Sequence, residues 1–336
     1  MRRFPSEVLM RRIGLAVVLV VSLALTSVTG NAQQPAKLWR VGVLAQPPGL
    51  EIFLDTFRAG MRELGYTENR NIVIDTREGE SRELPGLAND LLRNHPDLLV
   101  ALFSAATVAA KQATSTTPIL FVDVADPVAI EVVASLARPG GNVTGLTNNN
   151  TEVAAKRLQL LREVNPKISR VAVIACCTSG TVTDRVIRSL RDQIEHAGQS
   201  IGVRIESDMP RSADMDAAIS RVTRSRADAL LVTPNPLMLA RRVQIAEHAI
   251  REKLPTIFDA EPHVTAGGLI SYTADRQTMY RRAAAFADKI LRGTQAGTIA
   301  IEEPTIYRLT INMRTAKALG LRIPPSLLLR ANQVIE

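Results

Sequence analysis

Cysteine is nearly absent: two residues in 336, adjacent at Cys176 and Cys177. That excludes a disulfide-built scaffold and a cysteine-rich metal module. Aromatic residues make up only 4% of the chain, with a single tryptophan. Four histidines, His95, His196, His248 and His263, stand at no metal-ligand spacing to one another or to the cysteine pair. No G-x-S-x-G elbow, P-loop or H-E-x-x-H occurs. Beyond Leu25 there is no long apolar run, and basic residues are scattered rather than clustered. Multi-span membrane proteins and nucleic-acid binders are therefore excluded, and 46% apolar content excludes a disordered chain.

What is present begins with an address. Arg2, Arg3, Arg11 and Arg12 precede an apolar run from Ile13 to Leu25, followed by small and polar residues ending at Gly30-Asn31-Ala32. A basic start, an apolar centre and small residues at −3 and −1 predict a secretory signal peptide over residues 1–32, cleaved near Ala32. The apolar stretch is short for a retained membrane anchor. Arg11-Arg12 leaves the twin-arginine export route open beside the general one. Without a cysteine at the cleavage site, no lipid anchor is expected. These four arginines and Glu7 account for +3 of the formal charge of +8, which leaves a mildly basic mature chain. Its 304 residues suggest two domains.

From Leu38 onward, short β-branched runs alternate with stretches of helical period. Strands are predicted at 40–45, 71–76, 98–102, 119–124, 170–175, 202–206, 229–233, 256–258, 268–272 and 307–311. Several are apolar on both faces, as a parallel sheet covered by helices requires. Phe53, Phe57, Met61 and Leu64 share one helical face ended by Gly65, and Val186, Leu190, Ile194 and Ala197 share another before Gly198. The alternation predicts an α/β doubly wound fold. Arg138-Pro-Gly-Gly-Asn-Val-Thr-Gly145 interrupts it and reads as the approach to a crossing between two lobes; a phosphate loop is a poor alternative, since no strand precedes it. Ala266-Gly-Gly268 precedes a return crossing. The lobes are expected at 33–145 plus about 271–300, and 146–270 plus about 301–336.

Ligands of open α/β sheets bind beyond the carboxyl ends of the strands, where helix N-termini present unpaired N–H groups. Those loops supply Gln46, Ser104, Thr107 and Asp126 in one half, and Thr178, Ser179, Asn235, Phe258 and Asp259 in the other. Hydroxyls and N–H groups suit a carboxylate, an acidic residue suits an ammonium, and Phe103 or Phe258 suits an apolar side chain. Asp126 before Pro127 also reads as the N-cap of a helix over 128–137, and Ser104, Thr178 and Ser179 as helix caps. His263 is the one histidine with a claim on the site; surface or capping roles are expected for the others. Cys176 and Cys177 read as small residues ending a buried strand, with a strained vicinal disulfide as the alternative.

Asp126-Pro-Val, Ala134-Ser-Leu-Ala-Arg-Pro-Gly-Gly-Asn-Val-Thr-Gly145, Ala266-Gly-Gly-Leu-Ile-Ser-Tyr272 and Tyr280-Arg-Arg-Ala-Ala284 together resemble the bacterial ABC transporter substrate-binding proteins of the tryptophan/tyrosine-binding (TrpX-like) type. So do Thr315-Ala-Lys-Ala-Leu-Gly320, Ile323-Pro-Pro-Ser-Leu-Leu328 and Arg330-Ala-Asn-Gln-Val-Ile335. The resemblance implies a type I periplasmic-binding-protein fold: two doubly wound parallel-sheet lobes joined by a multi-strand hinge and closing on a small solute. It implies an extracytoplasmic, monomeric receptor that delivers an amino acid or similar solute to the membrane permease of an ABC importer, with no cofactor, metal or catalysis. Three departures fall on cleft loops: Cys176-Cys-Thr-Ser-Gly180 for an Asn-Pro-type loop, Asn235 for an acidic residue, and Asp123 for a small apolar one. A periplasmic sensory receptor is the alternative. An exported enzyme using Asp259, Glu261 and His263 is a weaker one, because no nucleophile–base pair is evident. The leader, and the lack of DNA-binding helices ahead of the first lobe, argue against a two-lobed transcription regulator.

Overall fold

The computed structural model describes residues 37–46, 50–148, 150–174, 181–208, 215–233 and 236–336. Five parallel strands form the first sheet: β1 (Trp39–Ala45), β2 (Ile72–Glu78), β3 (Leu98–Leu102), β4 (Ile119–Val124) and β5 (Val143–Thr147), in the order β2-β1-β3-β4-β5. Parallel neighbours need crossovers, which the helices Leu50–Glu63, Leu84–Arg93 and Phe103–Ala113 provide. The all-apolar β3 shows why both faces must be covered. Leu98, Val100 and Leu102 pack with Phe53, Phe57 and Met61 of the first helix, while Leu99 and Ala101 pack with Leu84, Ala88, Leu91 and Ala106 on the other side. The edge strand β2 instead alternates buried Ile72 and Ile74 with half-buried neighbours.

The second sheet holds β6 (Arg170–Ile174), β7 (Arg204–Asp208), β8 (Ala229–Val232), β9 (Thr256–Phe258), β10 (Ile270–Ala274), β11 (Tyr307–Asn312) and β12 (Gln333–Ile335). Its order is β12-β11-β10-β9-β8-β6-β7, antiparallel only between β10 and β11. The chain passes between the sheets three times. β5 leads into the helix Asn150–Val164, whose Leu158 and Leu161 pack into the second sheet's core. β10 leads back to the helix Arg276–Leu291, whose Met279, Tyr280 and Ala283 join Phe53 and Val41 beside the first sheet. The segment after the turn Ala296–Thr298 returns to β11. The three passages are stitched side by side. Thr147 N–H donates to the Glu302 carbonyl at 3.1 Å, Glu302 N–H to Gly145 at 3.1 Å, and Asp275 N–H to Ile306 at 2.9 Å. No helix of the described residues is long and apolar enough to cross a membrane.

The structure departs from the sequence reading at four places. The Gly-rich segment ends in a full strand, β5, at the edge of the first sheet, with Gly140 and Gly141 at positive φ in the turn before it. No helix spans 128–137. Asp126 does accept the Ala129 N–H at 2.9 Å as a cap would, but Glu131 takes a φ of +60° and Ile130, Val132 and Val133 pack against the first sheet as a turn. Clustered β-branched residues favour that solution over a helix. Gly198 lies inside the helix Thr181–Ser200 rather than ending it; Gly202, with φ +69°, follows the end. His248, expected at the surface, is buried with Nε2 3.2 Å from the Thr223 hydroxyl.

Gly145 tests the sheet. It pairs with Phe121, and a Cβ there would sit 2.3 Å from the Phe121 carbonyl oxygen and 2.4 Å from its ring. Backbone cannot give way as a side-chain tip can. Gly145→Ala is expected to destabilise the fold by about 1–3 kcal/mol or more, read as a lowered midpoint in denaturant melts. An unchanged midpoint would mean that β5 is not seated as described.

Candidate functional site

The carboxyl ends of β4 and β9 bring acidic residues of the two sheets close to the second passage. Asp123 occupies a bulge in β4, where the register against β5 shifts between Val122 and Val124, and it takes the left-handed φ of +63°. Bulges re-aim side chains, and Asp tolerates this conformation better than most residues. Phe103, directly after β3, has φ +67°. Such backbone is sparsely populated and concentrates at functional sites.

The Asp123 carboxylate is buried and fully engaged. Oδ1 accepts from Asn148 Nδ2 at 2.7 Å, and Oδ2 from Arg276 Nε at 2.8 Å and from the Tyr280 hydroxyl at 3.1 Å. Arg276 and Tyr280 stand four residues apart, one turn along the same helix face. Burial, and then the neighbouring Asp123 charge, hold the Tyr280 hydroxyl well above its ordinary pKa. Asp123 in turn raises that of Arg276. Arg276 Nη2 lies 3.8 Å from Asp259 Oδ2, at the end of β9, so one guanidinium spans carboxylates from the two sheets. At that separation the attraction is about 4 kcal/mol in an effective dielectric of about 20, offset by a desolvation cost of several kcal/mol per ion.

A second arginine completes the cluster. Arg157, on the helix Asn150–Val164, is 1% exposed and donates through Nε to the Tyr272 carbonyl at 2.8 Å. Burial pulls its pKa down to about 10, against the opposing pull of Asp259, so it remains charged at neutral pH. Two carboxylates and two guanidiniums therefore balance. Within this balance, Asp259 Oδ1 and the buried Ser271 hydroxyl make no hydrogen bond among the described residues.

The expected site residues divide. Asp259 joins the ionic cluster; it does not cap the helix Glu261–Thr265, whose N-cap is Ala260. Asp126 reaches the other half of the chain, its Oδ2 accepting from Ser189 of the helix Thr181–Ser200 at 2.9 Å. Gln46 donates to the Ser81 hydroxyl at 2.7 Å, and Ser104 is half-buried in the first turn of its helix. The Thr107 hydroxyl is buried and spent on the Phe103 carbonyl at 2.8 Å. Phe258 is fully buried and stacked on His263 at 4.7 Å, against Gly268, where a Cβ would lie 2.3 Å from its ring. Thr178, Ser179, Asn235, Cys176 and Cys177 lie outside the described residues. A separate pocket, of about 390 Å³ and open to solvent, is lined by Asp275, Arg282, Glu302 and Glu303 at the passages and includes none of the four clustered charges.

Arg157, Arg276, Tyr280 and Asn148 were not among the site residues expected from the sequence. Arg157 carried a signal: it falls on the stripe formed by Ala154, Leu158 and Leu161, a charge on an otherwise apolar helix face. Arg276 carried none.

His263 and His248 give a pH test. Burial lowers both pKa values, against Asp259 and Glu252 respectively. The unfolded chain then binds protons below about pH 6.5 that the folded chain does not, so stability falls as pH drops through that point. Asp275, held low by the Thr278 N–H and Arg308 although burial opposes it, adds its loss only below about pH 4. Thermal melts are expected to decline between pH 6.5 and 5, and less steeply for His263→Phe; equal slopes would assign the decline elsewhere.

A profile described as ABC transporter substrate binding protein matches residues 40–335. A Tyrosine-binding protein of Clostridioides difficile (strain R20291) is 27% identical over 286 residues, covering 84% of this chain and 80% of the relative. The ABC domain in complex with L-Trp from Streptococcus pneumoniae superposes with a TM-score of 0.80 at 22% identity, over 88% of this chain and 99% of that one. A ligand-free, open substrate binding protein with adhesive properties from Clostridium difficile gives 0.69 at 21% identity, with the same coverage. The architecture is that of type I periplasmic binding proteins, and the profile runs from the start of β1 through β12: the chain belongs to the ABC transporter substrate-binding protein family.

Proposed function

We propose that this protein captures a small zwitterionic solute, an amino acid or a close analogue, between its two sheets and delivers it to the permease of an ABC importer. The observation that carries this reading is Asp259: its side chain is 6% exposed and one carboxylate oxygen lacks a hydrogen-bond partner among the described residues. A buried acceptor left open is costly unless a ligand completes it. An ammonium is the matching group. Aromatic amino acids head the list of solutes, because the relatives described above include a tyrosine-binding protein and an L-Trp complex.

In this reading the lobes are residues 33–145 plus about 271–300, and 146–270 plus about 301–336. Gln46, Ser104, Asp126, Thr178, Ser179 and Asn235 supply the remaining contacts to the solute. Thr107 and Phe258 support the walls from behind, since their polar and aromatic groups are already engaged. The protein works as an extracytoplasmic monomer, without catalysis, metal or cofactor, after a leader is removed near Ala32. Binding on two lobes joined by a hinge proceeds by closure.

Two outcomes are expected. Asp259→Ala should weaken binding of L-tyrosine or L-tryptophan by roughly 10- to 150-fold, as loss of a charge-assisted hydrogen bond of about 1.5–3 kcal/mol implies, in calorimetric titration. Small-angle scattering should show the wild type becoming more compact with the same amino acid. Unchanged affinity together with a lowered melting point would restrict Asp259 to a structural role. Separately, intact-mass measurement of protein from the periplasmic fraction should give an N-terminus near Gln33. A full-length mass in the membrane fraction would overturn the processing.

A further inference from the structure

We infer that Arg276 is the residue that reads the solute's carboxylate, and that the cleft therefore selects α-amino acids over the corresponding amines. The inference rests on the capture reading above and assigns the half of the ligand that Asp259 does not address.

Of the four charges in the cluster, two are already committed. Asp123 accepts three hydrogen bonds from Asn148, Arg276 and Tyr280, and its side chain has no exposed surface. Arg157 is almost wholly enclosed and anchored on the Tyr272 carbonyl. Arg276 differs. Only its Nε makes a hydrogen bond, to Asp123; Nη2 lies 3.8 Å from Asp259 Oδ2, beyond hydrogen-bond distance, and the side chain keeps 33% of its surface accessible. A guanidinium pinned at Nε presents its far edge in a set orientation, the geometry that receives a carboxylate with two parallel N–H donors.

The class of ligand follows from what lies beside that edge. Arg276 Nη2 is 3.8 Å from Asp259 Oδ2, and the other Asp259 oxygen is buried, 4.0 Å from His263 Nδ1 and without a hydrogen bond among the described residues. Donor edge and open acceptor are thus neighbours. A free phosphate or a dicarboxylate placed on Arg276 would meet the Asp259 charge, and a simple amine would satisfy Asp259 and leave the guanidinium edge unanswered. A molecule with ammonium and carboxylate on adjacent atoms answers both. Arg276 also starts the helix that follows the second passage between the sheets, so a carboxylate held there ties the solute to the first lobe while its ammonium is held by the second. Selection and closure then share one residue.

The test compares L-tyrosine with tyramine, and L-tryptophan with tryptamine, by calorimetry on the mature protein. Each pair differs only by the carboxylate. Wild type should prefer the amino acid by at least about 10-fold, the lower end for a charge-assisted hydrogen bond. Arg276→Gln should lose most of that preference by weakening the amino acid and not the amine, and Arg276→Lys should restore part of it. Because Arg276→Gln leaves Asp123 short of a counter-charge, the double variant Asp123→Asn/Arg276→Gln serves as the folded control: neutral at both positions, it should show the same loss of preference. A double variant that melts near wild type and keeps the full preference overturns the assignment to Arg276 while leaving capture intact. Equal wild-type affinity for amine and amino acid overturns it too. Failure of wild type to bind either amino acid removes the capture reading for aromatic amino acids, and this inference with it.

Discussion

The buried carboxylate of Asp123 is the constraint from which much of the remaining geometry follows. A charge with no exposed surface must be answered in place, because an unpaired one would cost several kcal/mol. The answer comes from three side chains on two separate segments: Asn148 just beyond β5, and Arg276 and Tyr280 on the helix after β10. Those segments belong to the first and second passages between the sheets. Satisfying one carboxylate therefore fixes where both passages run, and the third is stitched to them through Glu302 and Ile306. The bulge and the left-handed backbone at residue 123 orient the carboxylate toward all three donors. A regular strand residue there would point to a sheet face and leave Arg276 without its anchor.

From that anchor the electrostatics extend in one direction. Arg276 reaches Asp259, Asp259 lies within the field of Arg157, and Arg157 ends on the Tyr272 carbonyl of β10. Charge alternates along the chain of groups and the four sum to zero. Such a cluster contributes little net stability, since desolvation cancels much of the attraction. Its worth lies in orientation. It presents a donor edge and an open acceptor side by side at the strand ends, which is where open α/β sheets bind their ligands.

The sequence made the frame legible and the cluster only in part. Strands such as β3, β4 and β9 were marked by short apolar runs between turn residues, as burial on both faces favours. β5 was hidden, since Gly141 and Gly145 depress any strand signal, and Gly145 is required for a reason of tertiary packing: the Phe121 backbone lies where a Cβ would be. Residues 128–137 misled in the opposite sense. A cap and a proline announced a helix, and the demand to bury Ile130, Val132 and Val133 on a sheet face prevailed. Asp259 was readable from its place after a strand. Arg276 was not, because what makes it a site residue is a bond to a carboxylate 153 positions away.

The link between the two halves of the chain also bears on how a solute would act. Asp126 accepts one hydrogen bond from Ser189 across to the other half, worth about 1.5–3 kcal/mol at most for a bond to a charged group, and less where water competes. Moving a two-state equilibrium from 1:99 to 99:1 takes about 5.5 kcal/mol of differential binding. A single Asp126–Ser189 bond cannot supply that alone. Beside the Arg276–Asp259 ion pair, in the capture reading the remainder comes from the solute, and it counts only if the solute touches both lobes, since contacts to one lobe are equal in the open and closed forms. Arg276 and Asp259 meet that requirement: they sit on elements of opposite sheets, carry opposite charges, and lie close enough for one small zwitterion to engage both.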